Sequence, residues 1–332
     1  MADLGHRMTD KELAALEKRI AAVYERAYKD LKSDVDRYFA QFKKRDKHQK
    51  GLLEAGEITE EQYRQWRLAQ FGRGERLEDL RDKMAERYTK ANEVAISYVN
   101  DATPGIYSLN RNYAAYTIEQ VHGDVGFTLF NEQTVKRLID EEPDVMPYYP
   151  PKRAVKRGID LAYGKQQITA SVTSGILRGN SIGKIADELQ DRIKTMNRSS
   201  AIRSARTAVT NAQNAGRQDT FDAAAKMGVK VRKRWVATKD ERTRTDHASA
   251  DGQTVDYDKP FIVGGEKIMF PGDGKGSAWN IYNCRCTMRT VEKEGIEAEP
   301  RQIRVRDPET GRNVVVSEMT YREWEEWVKR RG

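Results

Sequence analysis

Apolar residues return at steps of three and four through the first third of the chain, against an otherwise charged background. Leu13, Leu16, Ile20, Val23, Ala27, Leu31, Val35, Tyr38 and Phe42 form one such stripe, the period of an amphipathic helix. Thr9 or Asp10 is placed to cap its start, with Glu12 in the first turn. The stripe predicts a helix to about residue 46, roughly 55 Å long. Lys43, Lys44, Arg45, Lys47 and Lys50 crowd its C-terminal end, where the helix dipole favours cations. After a turn around Gly51 to Gly56, Thr59 and Gln62 have the spacing of a capping box. They introduce a second helix with the stripe Tyr63, Trp66, Leu77, Leu80, Met84, Tyr88, Ala91, Ala95 and Tyr98. Gly72 and Gly74 flank Arg73 and are expected to kink or split it. Two facing stripes predict an antiparallel hairpin or coiled coil, closed on itself rather than left as a docking face.

The pattern then loosens. Thr103-Pro104-Gly105 is expected to break the chain, Asn110 to His122 to form a helix, and Asn131 to cap another ending near Asp140. Pro143, Pro147, Tyr148, Tyr149, Pro150 and Pro151 read as a stiff, extended linker. Ala154 to Leu177 reads as a helix ended by Gly179, Ser181 starts another, and Asn197 to Met227 forms an Ala-rich helix ended at Gly228. Past Gly228 the period drops to two: Val229, Val231, Trp235 and Val236 read as a strand. Short β segments between Asp, Gly and Pro turns continue to about Val291. A strand pair (301–306 with 314–316) and a helix over 320–330 close the chain. The predicted class is α+β: a long helical N-terminal half, then a helix-plus-small-β C-terminal domain. The boundaries expected are 1–142 for the helical region, 143–151 for the linker, 152–295 for the C-terminal domain and 296–332 for an extension.

Composition changes this picture modestly. Of 332 residues, 33% are charged and 38% hydrophobic, and the mean hydropathy is −0.82, as suits solvated helices more than one thick globule. A net charge of +8 favours an anionic neighbour such as nucleic acid, although 51 acidic residues dilute the signal. Arg203, Arg206 and Arg217 could share a helix face as phosphate contacts, a solvated face being the plainer reading. No apolar run is long enough for a membrane span, the N-terminus lacks a signal-peptide core, and two cysteines make no secreted disulfide framework. The chain reads as made in a reducing cytoplasm.

The distinctive chemistry lies between Trp235 and Cys286. Cys284 and Cys286 are two apart, so on a strand both thiols face the same way; a disulfide between them would be strained. With His247 they offer the donors zinc prefers, a fourth coming from Asp240, Asp246, Asp251 or water. The spacing matches none of the common zinc patterns. Two reduced cysteines and a hydrogen-bonded histidine in a small α+β core remain the preferred reading at this level. Asp240, Glu241, Asp246 and His247 also admit a metal-dependent nuclease. However, Arg242 and Arg244 interleave with the carboxylates, as in a paired surface turn. No phosphate loop, Ser/His/Asp order or nucleophile elbow occurs.

The order of these residues resembles the phage Mu F-like family of minor head and head-morphogenesis proteins. The matching parts are Ile202 to Ala208, Asn211, Asn214-Ala215-Gly216, Trp235, Asp240-Glu241-Arg242-Thr243-Arg244 and His247. They continue with Gly252-Gln253, Phe261, Gly264-Gly265, Pro271-Gly272-Asp273 and Asn283-Cys284-Arg285-Cys286. The resemblance covers about 180–292 and implies a low-copy structural protein, not an enzyme. Such a protein joins the portal, capsid or scaffold during head assembly in the bacterial cytoplasm. It stays in the virion head, near packaged double-stranded DNA, and sometimes influences ejection. Some family members carry C-terminal toxin enzymes; positions 296–332 are too short for one. A metal-dependent nuclease at His247 and Asp240, or a plain DNA-binding module, are the alternatives.

Overall fold

The computed structural model describes residues 3–72, 75–141, 169–195, 198–291, 303–306, 313–316 and 319–331. Helix α1 (Leu4–Glu54) is longer at both ends than its stripe predicts. Thr9 is not a cap: it is buried one turn inside, its hydroxyl donating to the Gly5 carbonyl. The start is instead held by Asp3, whose carboxylate accepts the His6 N–H at 2.8 Å, the geometry of an N-terminal cap. The end comes at Gly56 (φ 75°), beyond residue 46 where the stripe predicts it and within the expected 51–56 turn. There the Gly56 and Glu57 N–H groups donate back to Leu53 and Leu52, closing the helix on a left-handed glycine. The capping box at Thr59 and Gln62 is formed and opens α2 (Glu60–Arg67). A π-turn over Leu68–Gly72 follows, and α3 (Glu75–His122) begins beyond it, so the second helix is split where the glycines lie.

Contrary to expectation, α3 runs straight through Thr103-Pro104-Gly105. Pro104 has no N–H for the Asn100 carbonyl, and the Thr103 hydroxyl turns back toward that carbonyl at 3.5 Å. Thr103 and Pro104 themselves and the residues that follow, including Ile106, Tyr107, Asn110, Tyr113 and Ala114, are buried. Packing therefore outweighs the helix-breaking tendency. After α4 (Glu132–Glu141), where Asn131 accepts the Thr134 N–H as predicted, the linker segment 143–151 lies outside the described residues. So does most of the helix predicted from Ala154, of which α5 (169–177) is described. It ends at Gly179 with a left-handed turn. Next come α6 (Ile182–Thr195), capped by Ser181, and α7 (Arg198–Lys226), ended by Gly228.

Contacts divide the chain differently from the sequential blocks 1–142 and 152–295. One compact unit comprises 17–98 and 150–202; the other comprises 1–16, 99–149 and 203–332. Helices α1, α3 and α7 each supply residues to both units, so order along the chain does not track neighbourhood in space. In the first unit α1 and α3 run antiparallel. Tyr24 stacks on Tyr88, Arg87 pairs with Asp30, and the Arg19 guanidinium covers the Tyr98 ring. The predicted stripes close on each other: Ile20, Leu31, Val35, Leu80, Met84 and Ala95 are all buried.

The second unit holds the β structure. Strands β1 (Arg232–Val236), β2 (Thr254–Asp256) and β5 (Thr287–Val291) form an antiparallel sheet in the order β2-β1-β5. Strands β3 (Phe261–Val263) and β4 (Glu266–Ile268) make a hairpin. Its two-residue turn, Gly264-Gly265, has φ positive at both positions, which glycine alone adopts without strain. Short helices α8 (Thr245–Ser249) and α9 (Ala278–Ile281) lie in the connections. β6 (Ile303–Arg306) and β7 (Asn313–Val316) pair antiparallel, and α10 (Tyr321–Arg331) closes the chain. Trp324 of α10 enters the core formed by Tyr113, Ile118, Phe221, Trp235, Phe261 and Met288, its indole N–H donating to Glu119 at 2.7 Å. The class is α+β with a long helical N-terminal region.

Candidate functional site

Helix α7 organises everything around it through polar side chains that an Ala-rich sequence makes easy to overlook. Thr210 donates to the Cys284 carbonyl at 2.6 Å, and Asn211 to the Gly272 carbonyl at 2.8 Å. Asn214, fully buried, donates to the Pro271 and Cys286 carbonyls and accepts from the Met288 N–H and Thr287 hydroxyl. Gln213 also reaches the Thr287 hydroxyl. Unpaired backbone groups in a core cost about 1–3 kcal/mol each. These side chains satisfy the loop that carries the cysteines and fix its height on the helix.

Arg217, expected on a solvated face, is buried. Its guanidinium donates to both Asp3 oxygens (2.7 and 2.8 Å), to Asn110 and to the Met288 carbonyl. It is thus committed inside the protein rather than offered to phosphate. Of its two expected companions, Arg203 is exposed, and Arg206 is half-buried beside the Asn283 side chain. Burial disfavours the charged form of Asp3, but Arg217 and the His6 N–H outweigh it and hold its pKa at about 2. The sequence also gave no sign that Lys233 shares the buried row of β1 with Val231 and Trp235. Its ammonium donates to Gln218 and the Met269 carbonyl, and burial lowers its pKa to about 8.

Several other residues of the motif set have structural tasks. Gly252 (φ 81°) and Gln253 pair with both backbone groups of Trp235. Gly272 (φ 82°) sits where a Cβ would come within 3.0 Å of the Asn211 amide nitrogen. Asp273 is buried and accepts the Met269 and Lys275 N–H groups. Asn283 takes a left-handed conformation (φ 56°), tolerated better by Asn than by most residues, and its N–H donates to Thr207. Arg285 grips Asp240 with two bonds of 2.6 Å, which together hold the Asp240 carboxyl well below the usual range. Asp240 also receives the Arg242 N–H. Arg244 donates to the Tyr282 carbonyl and lies over Trp279, which is 68% exposed.

His247, on α8, and the two cysteines come together. All three are buried, with donor atoms within 4.8 Å of one another. His247 Nδ1 lies 3.4 Å from Cys286 Sγ and 3.6 Å from Cys284 Sγ. The Cys286 N–H donates to Cys284 Sγ at 3.4 Å. The imidazole packs edge-on against Trp235, and its Nε2 has no hydrogen-bond partner among the described residues. The Cys284 thiol donates to Cys286, which with His247 lowers the Cys286 pKa; the same bond and burial raise that of Cys284. Among the described residues no carboxylate joins them. Asp240 is clamped by Arg285, and Asp251 receives the Ala237 N–H and pairs with Lys239. The nuclease arrangement of His247 with Asp240 is therefore not assembled among the described residues.

The signature elements meet in space as well as in order, and comparison with known proteins agrees. Residues 166–289 match the family model of Phage Mu protein F like protein. Nearly the whole chain also aligns with minor head protein GP7 of Bacillus phage SPP1. The two are 24% identical over 326 residues, covering 96% of this chain and 95% of that one. Over residues 166–289 this chain is similar to the Mu F-like family, and along nearly its whole length to a minor head protein. A second relative is the NAD(+)–arginine ADP-ribosyltransferase EFV of Enterococcus faecalis, 29% identical over 227 residues. That alignment spans 65% of this chain and 45% of the transferase. No solved structure matches. Within this Mu F-like chain, the motif residues are best understood as the parts that hold the loops on α7.

Proposed function

We propose that this Mu F-like protein is a minor structural component of a tailed-phage head, entering during assembly with the portal. The observation that carries this reading is the alignment with the SPP1 minor head protein along nearly the full length of both chains. The site chemistry supports it. Among the described residues, Asp240, Arg285, Asn211, Asn214 and Asp273 of the motif are engaged with one another or with backbone groups. The transferase likeness reaches less than half of that protein. The exposed face of Arg203, the net charge of +8 and the exposed Trp279 suit contact with packaged DNA or a neighbouring head protein. No described helix is long and apolar enough to cross a membrane.

Co-expression with the portal protein of the same phage tests the proposal. We expect the two to co-purify through size exclusion in the absence of other phage proteins. Elution as two separate species, with both proteins folded, would refute the portal partnership.

A further inference from the structure

We propose that His247 Nδ1, Cys284 Sγ and Cys286 Sγ bind one zinc ion that braces α8 against the loop entering β5. The geometry is the first reason. With Zn–S near 2.3 Å and Zn–N near 2.05 Å, a tetrahedral site places nitrogen and sulfur about 3.6 Å apart. The two observed separations are 3.4 and 3.6 Å. A single imidazole lone pair can accept only one S–H bond, yet both sulfurs lie at this range of the same nitrogen. A metal ion would engage all three donor atoms at once.

Charge is the second reason. Two thiolates, a neutral imidazole and Zn²⁺ sum to zero, so the complex avoids the penalty of burying a net charge. The Cys286 N–H directed at Cys284 Sγ is the kind of second contact that steadies a metal-bound thiolate. A fourth carboxylate would leave the buried complex negative. Among the described residues no other His, Cys, Asp or Glu joins the group, so the remaining position goes to a neutral donor such as water. Burial of all three residues makes this a structural site, screened from any substrate.

Position is the third reason. Both cysteine carbonyls are tied to α7, through Thr210 and Asn214, while His247 comes from α8. The ion would join two short pieces, one of five helical residues, that have little secondary structure of their own to hold them. The inference does not depend on the proposed role in the head.

The test is elemental analysis of the full-length protein, purified without a metal-affinity column or chelator. We expect close to one zinc per chain. Apoprotein titrated with Co²⁺ should develop thiolate-to-cobalt charge-transfer absorption and intense tetrahedral d–d bands, both abolished by added Zn²⁺. Cys284→Ser and Cys286→Ser should each reduce the zinc ratio and weaken the charge-transfer band. If the variants fail to fold, the wild-type measurements decide alone. A wild-type zinc ratio near zero, with no cobalt charge transfer in folded protein, would overturn the site. So would a full zinc ratio retained in a folded Cys284→Ser/Cys286→Ser double variant.

Discussion

Arg217 and Asp3 form a buried ion pair whose members lie over two hundred positions apart. Their attraction is strong because the arginine side chain is 3% exposed and the aspartate 23%. The Asp3 pKa of about 2 lies below the ordinary 3.8, so folding favours its charged form. The resulting stability is fully present above pH 3.8 and is lost as pH falls toward 2. Asp3→Asn should cost on the order of 2 kcal/mol near neutral pH, and urea titrations of variant and wild type should converge as the medium is acidified. A difference that stays constant across the acid range would contradict this account. The sequence showed Arg217 and its spacing, but not its partner. A residue near the N-terminus meets α7 only through the fold, and no local pattern announces that. Asn214 was visible as part of the family motif, whereas its role as a hub for five backbone and side-chain groups was not.

Among the elements, α3 and α7 cross so closely that a side chain is excluded. A Cβ built on Gly216 would lie 2.4 Å from the Tyr107 carbonyl oxygen, a backbone atom that cannot swing aside. Gly216→Ala should therefore destabilise the protein by about 2 kcal/mol or more, despite the better helix propensity of alanine. Thermal unfolding of the variant checks this, and an unchanged or raised midpoint would show that the helices are freer than described. Helix periodicity made most elements legible: the two stripes, the capping box, the left-handed glycines at 179 and 228, the strand after Gly228 and the closing helix. It failed at Pro104, where burial of the surrounding residues overrides a local breaker. It also ended α1 at about residue 46, because the apolar stripe stops at Phe42, whereas the helix runs on to Glu54. On β1 the alternation was sound, yet Lys233 occupies a buried position that hydrophobic patterning assigns to an apolar residue.

At the scale of the whole molecule, the two compact units share their longest helices, which is why a division by sequence order does not match the division by contact. The class was readable because helical and strand periods occupy separate halves. The candidate site was readable as a set of residues, since rare types cluster between Trp235 and Cys286. Its meaning changed with the structure: Asp240, Arg285, Gly252, Pro271 and Asn283 hold backbone in place, and among the described residues His247, Cys284 and Cys286 converge on a common point. The central claim, that this Mu F-like protein is built into the phage head, is tested most directly by quantitative mass spectrometry of purified heads. We predict that the protein is present at a few copies per portal ring in both procapsids and DNA-filled heads. Its absence from heads that contain the portal and major capsid protein would contradict the account.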